Sequence, residues 1–140
     1  MNATRILIVD ENPVFRQILD RFLYDEYPNQ VAVVGTVTRF EIAPVKAQRL
    51  QPEVILVDNG LPGLKGLSCI ARIRALLPEV GIIVLTLLDK PDYRKLALDA
   101  GADYFLQKDD VFTDLLPAIQ RVVTARTPKK PELTSIQGER

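Results

Sequence analysis

The sequence contains no histidine. That absence excludes a histidine metal site, a Ser-His-Asp triad and a histidine phosphoacceptor. A single cysteine, Cys69, rules out a disulfide within the chain and points to an intracellular, cytoplasmic setting. Cys69 itself reads as a small buried apolar residue. No apolar run approaches the length of a membrane span. The opening MNATRILIVD lacks the basic-then-apolar pattern of a secretory signal. Excess charge of one sign is missing too, because 18 Lys plus Arg balance 18 Asp plus Glu. No overall field therefore draws the chain to nucleic acid, and neither nucleic acid nor a membrane is an expected partner of this chain itself. Internal repeats and low-complexity segments are also absent. The 140 residues, 47% hydrophobic and 26% charged, suit one soluble domain with a single core.

Two kinds of segment alternate along the chain. RILIVD (5–10), VAVVGT (31–36), EVILVD (53–58), VGIIVLT (80–86) and DYFLQK (103–108) are short and rich in Val, Ile and Leu. Most are apolar on both faces, as strands covered from both sides must be. Longer segments of helical period lie between them. Residues 13–26 put Val14, Phe15, Ile18, Leu19 and Phe22 on one face, with Asn12 as cap and Pro13 at the first helical position. Residues 66–77 turn Leu67, Ile70, Ala71, Ile73 and Leu77 inward and Arg72 and Arg74 outward. Residues 91–100 bury Leu96, Ala97 and Ala100 and stop at Gly101. The last helix spans about 113–125. Pro44 and Pro117 fall in helical segments, where an interior proline costs about 3 kcal/mol, so irregular N-terminal ends are expected for helices two and five. The pattern predicts an α/β fold, a flavodoxin-like doubly wound sheet of five parallel strands in the order 2-1-3-4-5 with five helices. Residues 1–126 form the domain. RTPKKPELTSIQGER (126–140) loses the period and gains prolines, so 127–140 reads as a flexible tail or linker, too short for a helix-turn-helix.

Open α/β sheets bind ligands at the carboxyl ends of their strands. Here strand one ends in Asp10-Glu11, strand three in Asp58, strand four in Thr86 and strand five in Lys108. Strand order makes Asp10, Glu11 and Asp58 converge, and such crowding needs positive charge to offset it. Mg²⁺ fits, since it takes few carboxylates and keeps several waters. Lys108 adds a further charge. The turn formers Asn59, Gly60, Pro62 and Gly63 let the loop after Asp58 curl back so that a backbone carbonyl faces the metal. A carboxylate fixed beside a cation and a lysine is arranged as a nucleophile toward phosphorus, and the Thr86 hydroxyl can donate to a phosphoryl oxygen.

In combination, VDEN closing strand one, VDNGLPGLKG at strand three, VLT at strand four and FLQKD at strand five resemble the receiver domain of bacterial two-component response regulators. VVGT, LLPEVGIIVLT and AGADYFLQKD make it similar to the LuxR-type subgroup. The resemblance implies Asp58 as phosphoacceptor, Asp10 and Glu11 as the acidic pair holding Mg²⁺, and the Gly60 backbone carbonyl as a further ligand. It implies that Thr86 and Lys108 engage the phosphoryl group and that Phe105 stands where the family has an aromatic switch residue. Tyr104 precedes it, so either ring could move. A sensor histidine kinase or phosphotransfer protein would supply the phosphoryl group. The added charge would alter the face of helix four, strand five and helix five, changing dimerisation or partner binding. Such a domain is a signalling module rather than an enzyme, although it takes part in its own phosphorylation and dephosphorylation. Transcriptional output would need a DNA-binding domain absent from this chain. Leu61 and Lys65 replace Met and Asp frequent in the family, making the loop more basic.

Two alternatives share the sheet. An Asp-nucleophile phosphatase usually wants a second acid two residues after the nucleophile, where Gly60 stands. A flavin binder of flavodoxin type wants a Ser/Thr/Gly-rich loop after strand one, where acidic DENP stands.

Overall fold

The computed structural model describes residues 3–60, 63–88 and 90–126. Strands and helices alternate as β1 (Thr4–Asp10), α1 (Pro13–Glu26), β2 (Val31–Val37), α2 (Ala43–Leu50), β3 (Val54–Gly60), α3 (Leu64–Leu76), β4 (Gly81–Thr86), α4 (Pro91–Ala100), β5 (Tyr104–Gln107) and α5 (Val111–Arg126). A 3₁₀ turn, Lys108–Asp110, leads into α5. All neighbouring strands are parallel, in the order β2-β1-β3-β4-β5 expected from the sequence. Leu61, Pro62 and the segment 127–140, expected as a linker, lie outside the described residues.

Side chains alternate across each strand, so the core has two halves. Leu7, Val9, Ile55, Val57, Ile82, Val84 and Phe105 face α2, α3 and α4. Ile6, Ile8, Val54, Leu56, Ile83, Leu85 and Leu106 face α1 and α5. This double covering explains why β1, β3 and β4 are apolar without a break. β2 departs from that expectation. Only its end residues Val31 and Val37 are buried, because it is an edge strand with one neighbour.

Several helix faces differ from the periodic expectation. In α1 the buried residues are Leu19 and Leu23, while Val14 and Ile18 are exposed. In α4 they are Tyr93 and Ala97, and Leu96 is 52% exposed. Ala71 on α3 is likewise exposed. Apolar residues at the margin of a helical stripe face water whenever the covering helix is narrower than the stripe. Pro44 falls in the first turn of α2, the late start that removes its cost. Pro117, by contrast, lies well inside α5, which begins at Val111 rather than near 113. The proline has no N–H for the turn before it. Burial of Leu115, Ile119 and Val122 on the sheet, worth about 1.5–3 kcal/mol each, offsets the loss.

Arg74 is not the outward residue that periodicity suggested. It ties together the amino ends of the strands. Its guanidinium donates to the carbonyls of Gly101 at 2.8 Å and Val80 at 2.6 Å and pairs with Asp103 at 2.8 Å. Arg126 reaches the other oxygen of Asp103 from the end of α5, and the Ile82 N–H donates to Asp103 at 2.8 Å. Gly101, with φ of 127°, caps α4, and a Cβ there would sit 2.8 Å from the Arg74 Cβ. One aspartate thus joins α3, β4 and α5. Asp103→Ala should lower stability by about 2–3 kcal/mol, because it strands two half-buried guanidinium groups and one backbone N–H. Asp103→Asn, which retains an acceptor for Ile82, should cost about half as much. Urea midpoints of the two variants check this.

Candidate functional site

Asp10 closes β1 and stands Cα opposite Cα to Asp58 in β3, which runs two residues further to Gly60 rather than ending on Asp58. Equal parity with Ile8 and Leu56 sends both side chains to the α1/α5 side of the sheet. Both are nearly inaccessible, at 1% and 3% exposure. Asp10 Oδ1 accepts the Asn12 N–H at 2.8 Å, while Oδ2 is buried without a hydrogen-bond partner. Burial, above all, pushes the Asp10 carboxyl up to about 7. The Asn12 N–H pulls it down, the neighbouring Asp58 carboxylate pushes it further up, and Lys108 counters in part.

Lys108 supplies the cation. It stands one residue beyond β5, in the 3₁₀ turn, so strand five ends at Gln107 rather than at the lysine. Its ammonium lies 2.7 Å from Asp58 Oδ2, with 9% of the lysine and 1% of the aspartate side chain exposed. The ring of Phe15, on the first turn of α1, covers the ammonium at 4.1 Å from its centroid. Asn12 sets that turn: its side chain accepts from the N–H groups of Val14 and Phe15, and Pro13 follows it. The DENP segment therefore does two jobs, closing β1 on an acid and starting the helix that carries Phe15.

The other expected site residues divide. Thr86 closes β4 fully buried, and its hydroxyl donates to the Leu88 carbonyl at 3.1 Å while accepting the Leu88 N–H at 3.3 Å. Gly60 ends β3 opposite Thr86. Glu11 is exposed in the bend after β1, and its charge adds to the rise of the Cys69 thiol, which burial, above all, pushes to about 12. Of the three acids expected to converge, Asp10 and Asp58 are buried side by side and Glu11 is exposed. Among the described residues no three acidic, Cys or His side chains gather closely enough to hold a metal ion. The donors that are gathered, two carboxylates with one oxygen lacking a partner, suit a hard oxygen-seeking cation such as Mg²⁺.

Phe105 is buried on the α4 side, edge-on to Tyr93 at 5.8 Å, with the Arg94 guanidinium 5.0 Å from its centroid. Tyr104 faces the other half of the core and is half-buried. Phe15, Asn59 and Tyr93 were not among the expected site residues. Tyr93 was legible in principle, since 93 and 97 share a helical face with the capping Gly101.

A family model, the response regulator receiver domain, matches residues 6–120. The chain is 27% identical over 129 residues to the response regulator GacA of Pseudomonas protegens, covering 92% of this chain and 60% of that protein. To the response regulator VraR of Staphylococcus epidermidis it is 28% identical over 133 residues, covering 94% and 62%. The chain thus spans about three fifths of the length of these curated relatives. Among solved structures, the signal receiver domain of NarL from Mycobacterium tuberculosis superposes with a TM-score of 0.79 at 28% identity, over 90% of this chain and all of that one.

The raised Asp10 pKa has a stability consequence. The folded protein holds a proton at Asp10 that the unfolded chain releases above its ordinary value of 3.8. This group's contribution is therefore most favourable below pH 4 and is lost as pH rises to 7 and beyond. In metal-free buffer Asp10→Asn should gain stability over the wild type as pH goes from 4 to 8, with about 4 kcal/mol as the ceiling. Paired denaturation curves with a chelator present check the sign.

Proposed function

The chain belongs to the response regulator receiver domain family, and from that premise we propose that Asp58 accepts a phosphoryl group from a sensor histidine kinase or a phosphotransfer protein. Receiver domains of this family serve two-component signal transduction, and the relatives support placement in the LuxR-type subgroup. The observation that carries the assignment to Asp58 is its buried carboxylate, in register with Asp10 and 2.7 Å from the Lys108 ammonium. In the transfer, an Asp58 oxygen bonds to phosphorus as the donor's P–N bond breaks, and the donor imidazole leaves with the electron pair. This chain's residues orient and neutralise rather than exchange protons, as phosphoryl transfer requires. β3 fixes the carboxylate. Lys108, held between Asp58 and the Phe15 ring, offsets the negative charge that grows on the phosphoryl oxygens. The Thr86 hydroxyl is the nearby donor that would exchange its contact with Leu88 for a phosphoryl oxygen.

Asp10 and Asp58 would hold Mg²⁺, with Glu11 and the Gly60 carbonyl completing the set, directly or through water. When bound, the ion supplies charge neutralisation at the transferring phosphoryl group. Phosphorylation would move Thr86 and one of Phe105 or Tyr104 and thereby change the α4–β5–α5 face, altering dimerisation or partner binding. The output, transcription control through a DNA-binding domain outside this chain, and a cytoplasmic location complete the proposal. No described helix is long and apolar enough to cross a membrane. Gly60 in place of a second acid and acidic DENP in place of a phosphate cradle speak against the phosphatase and flavin alternatives.

Incubation with acetyl phosphate and Mg²⁺ should add the mass of one phosphoryl group to the wild type and none to Asp58→Asn. Intact mass spectrometry reads both, and equal labelling of the two proteins would remove Asp58 from its role.

A further inference from the structure

Asn59 takes no part in the chemistry assigned above, yet it is held from three sides. β3 and β4 shift register between Asp58 and Gly60, so that Asp58 opposes Leu85 and Gly60 opposes Thr86. Asn59 is the extra residue of this bulge. Strand alternation sends the Asp58 side chain toward α1 and α5 and the Asn59 side chain to the opposite layer. There the Asn59 amide donates to the hydroxyl of Tyr93, the third residue of α4, which is only 6% exposed. On its other side the amide lies against α3 at Gly66, where a Cβ would come within 2.5 Å of the Asn59 Cγ. The Tyr93 ring is fixed in turn by its edge-on contact with Phe105, over which Arg94 lies.

A bulge re-aims the side chains beside it. A bulge residue tied to a helix in the other layer makes that aim depend on where the helix sits. We propose that Asn59 and Tyr93 are positioning residues for phosphoryl transfer, their hydrogen bond pinning the bulge after Asp58 so that the seating of α4 sets the aim of the phosphoacceptor carboxylate. The inference rests on the assignment of Asp58 as phosphoacceptor. It gives α4 a line to the reacting carboxylate that runs through the residue after Asp58 and needs neither Thr86 nor movement of Phe105.

The test compares wild type, Tyr93→Phe, Asn59→Ala and the double variant, each labelled with acetyl phosphate and Mg²⁺ and followed by intact mass. Tyr93→Phe keeps the ring against Phe105 and removes only the hydroxyl. Each single variant should slow labelling roughly two- to tenfold, the range expected for one hydrogen bond. The slowing should appear in the rate at saturating acetyl phosphate and leave the half-saturating concentration unchanged, because the nucleophile's aim is altered and not donor binding. The double variant should be no slower than either single one. A tyrosine that served packing alone would slow labelling independently of Asn59. Overturning results are a Tyr93→Phe protein that labels at the wild-type rate, slowing that multiplies in the double variant, or an effect confined to half-saturation. Should Tyr93→Phe fail to fold, an unchanged rate in Asn59→Ala alone overturns the proposal. A wild type that gains no mass removes the phosphoacceptor assignment itself, and this inference with it.

Discussion

Two carboxylates buried side by side at the ends of adjacent strands are the constraint around which the carboxyl edge of this sheet is organised. Like charges in contact away from water repel strongly, and each also loses its hydration. The protein answers unevenly. Asp58 receives the Lys108 ammonium, itself held by an aromatic face. Asp10 receives one backbone N–H and keeps an oxygen with no hydrogen-bond partner. The asymmetry separates the roles of two chemically identical groups. One carboxylate is held in a fixed place beside a lysine, and the other is poised between a proton and a cation.

The two layers of helices treat this edge differently. On the α1/α5 side, Asn12, Pro13 and Phe15 bring a helix start and an aromatic ring up to the charged cluster. On the other side, Asn59, Tyr93, Phe105 and Arg94 form a contiguous set of polar and aromatic contacts. The paired carboxylates and Lys108 lie on one side of the sheet and linkage to α4 on the other, with the backbone of β3 between them. That division follows from the two-residue period of a strand, which places consecutive side chains on opposite faces.

Most of the architecture was legible because its signals are local and strong. Unbroken Val/Ile/Leu runs identify doubly covered strands, Asn12-Pro13 marks a helix start and Gly101 a helix end. The strand order followed from connection rules, and Asp10, Asp58 and Lys108 emerged as a group because strand ends converge. What failed to show depended on distances that no period encodes. Periodicity placed Arg74 on a polar face, but a guanidinium on a long stem reaches back to carbonyls and an acid at the strand starts. Glu11, adjacent to Asp10 in sequence, falls beyond β1 in an exposed bend, so its burial did not follow from that of Asp10. Leu96 and Ile18 lay on apolar stripes wider than the surface available to cover them. Asn59 read as a turn former, and only the register shift between β3 and β4 made it a bulge residue facing α4.

The Asp103 cluster and the Asn59–Tyr93 contact lie toward opposite ends of α4. At the C-terminal end, Gly101 caps the helix and its carbonyl is gripped by Arg74, which is braced in turn against Asp103 and the start of β4. At the N-terminal end, among the described residues, the Asn59–Tyr93 hydrogen bond joins the helix to β3, and the Tyr93 ring and the Arg94 guanidinium join it to Phe105 on β5. The helix is mechanically a cantilever, rooted at one end and lightly sprung at the other. Force applied at the root meets a network of charged contacts, whereas at the tip it meets a neutral hydrogen bond and ring contacts, which makes a tilt about Gly101 the softer displacement.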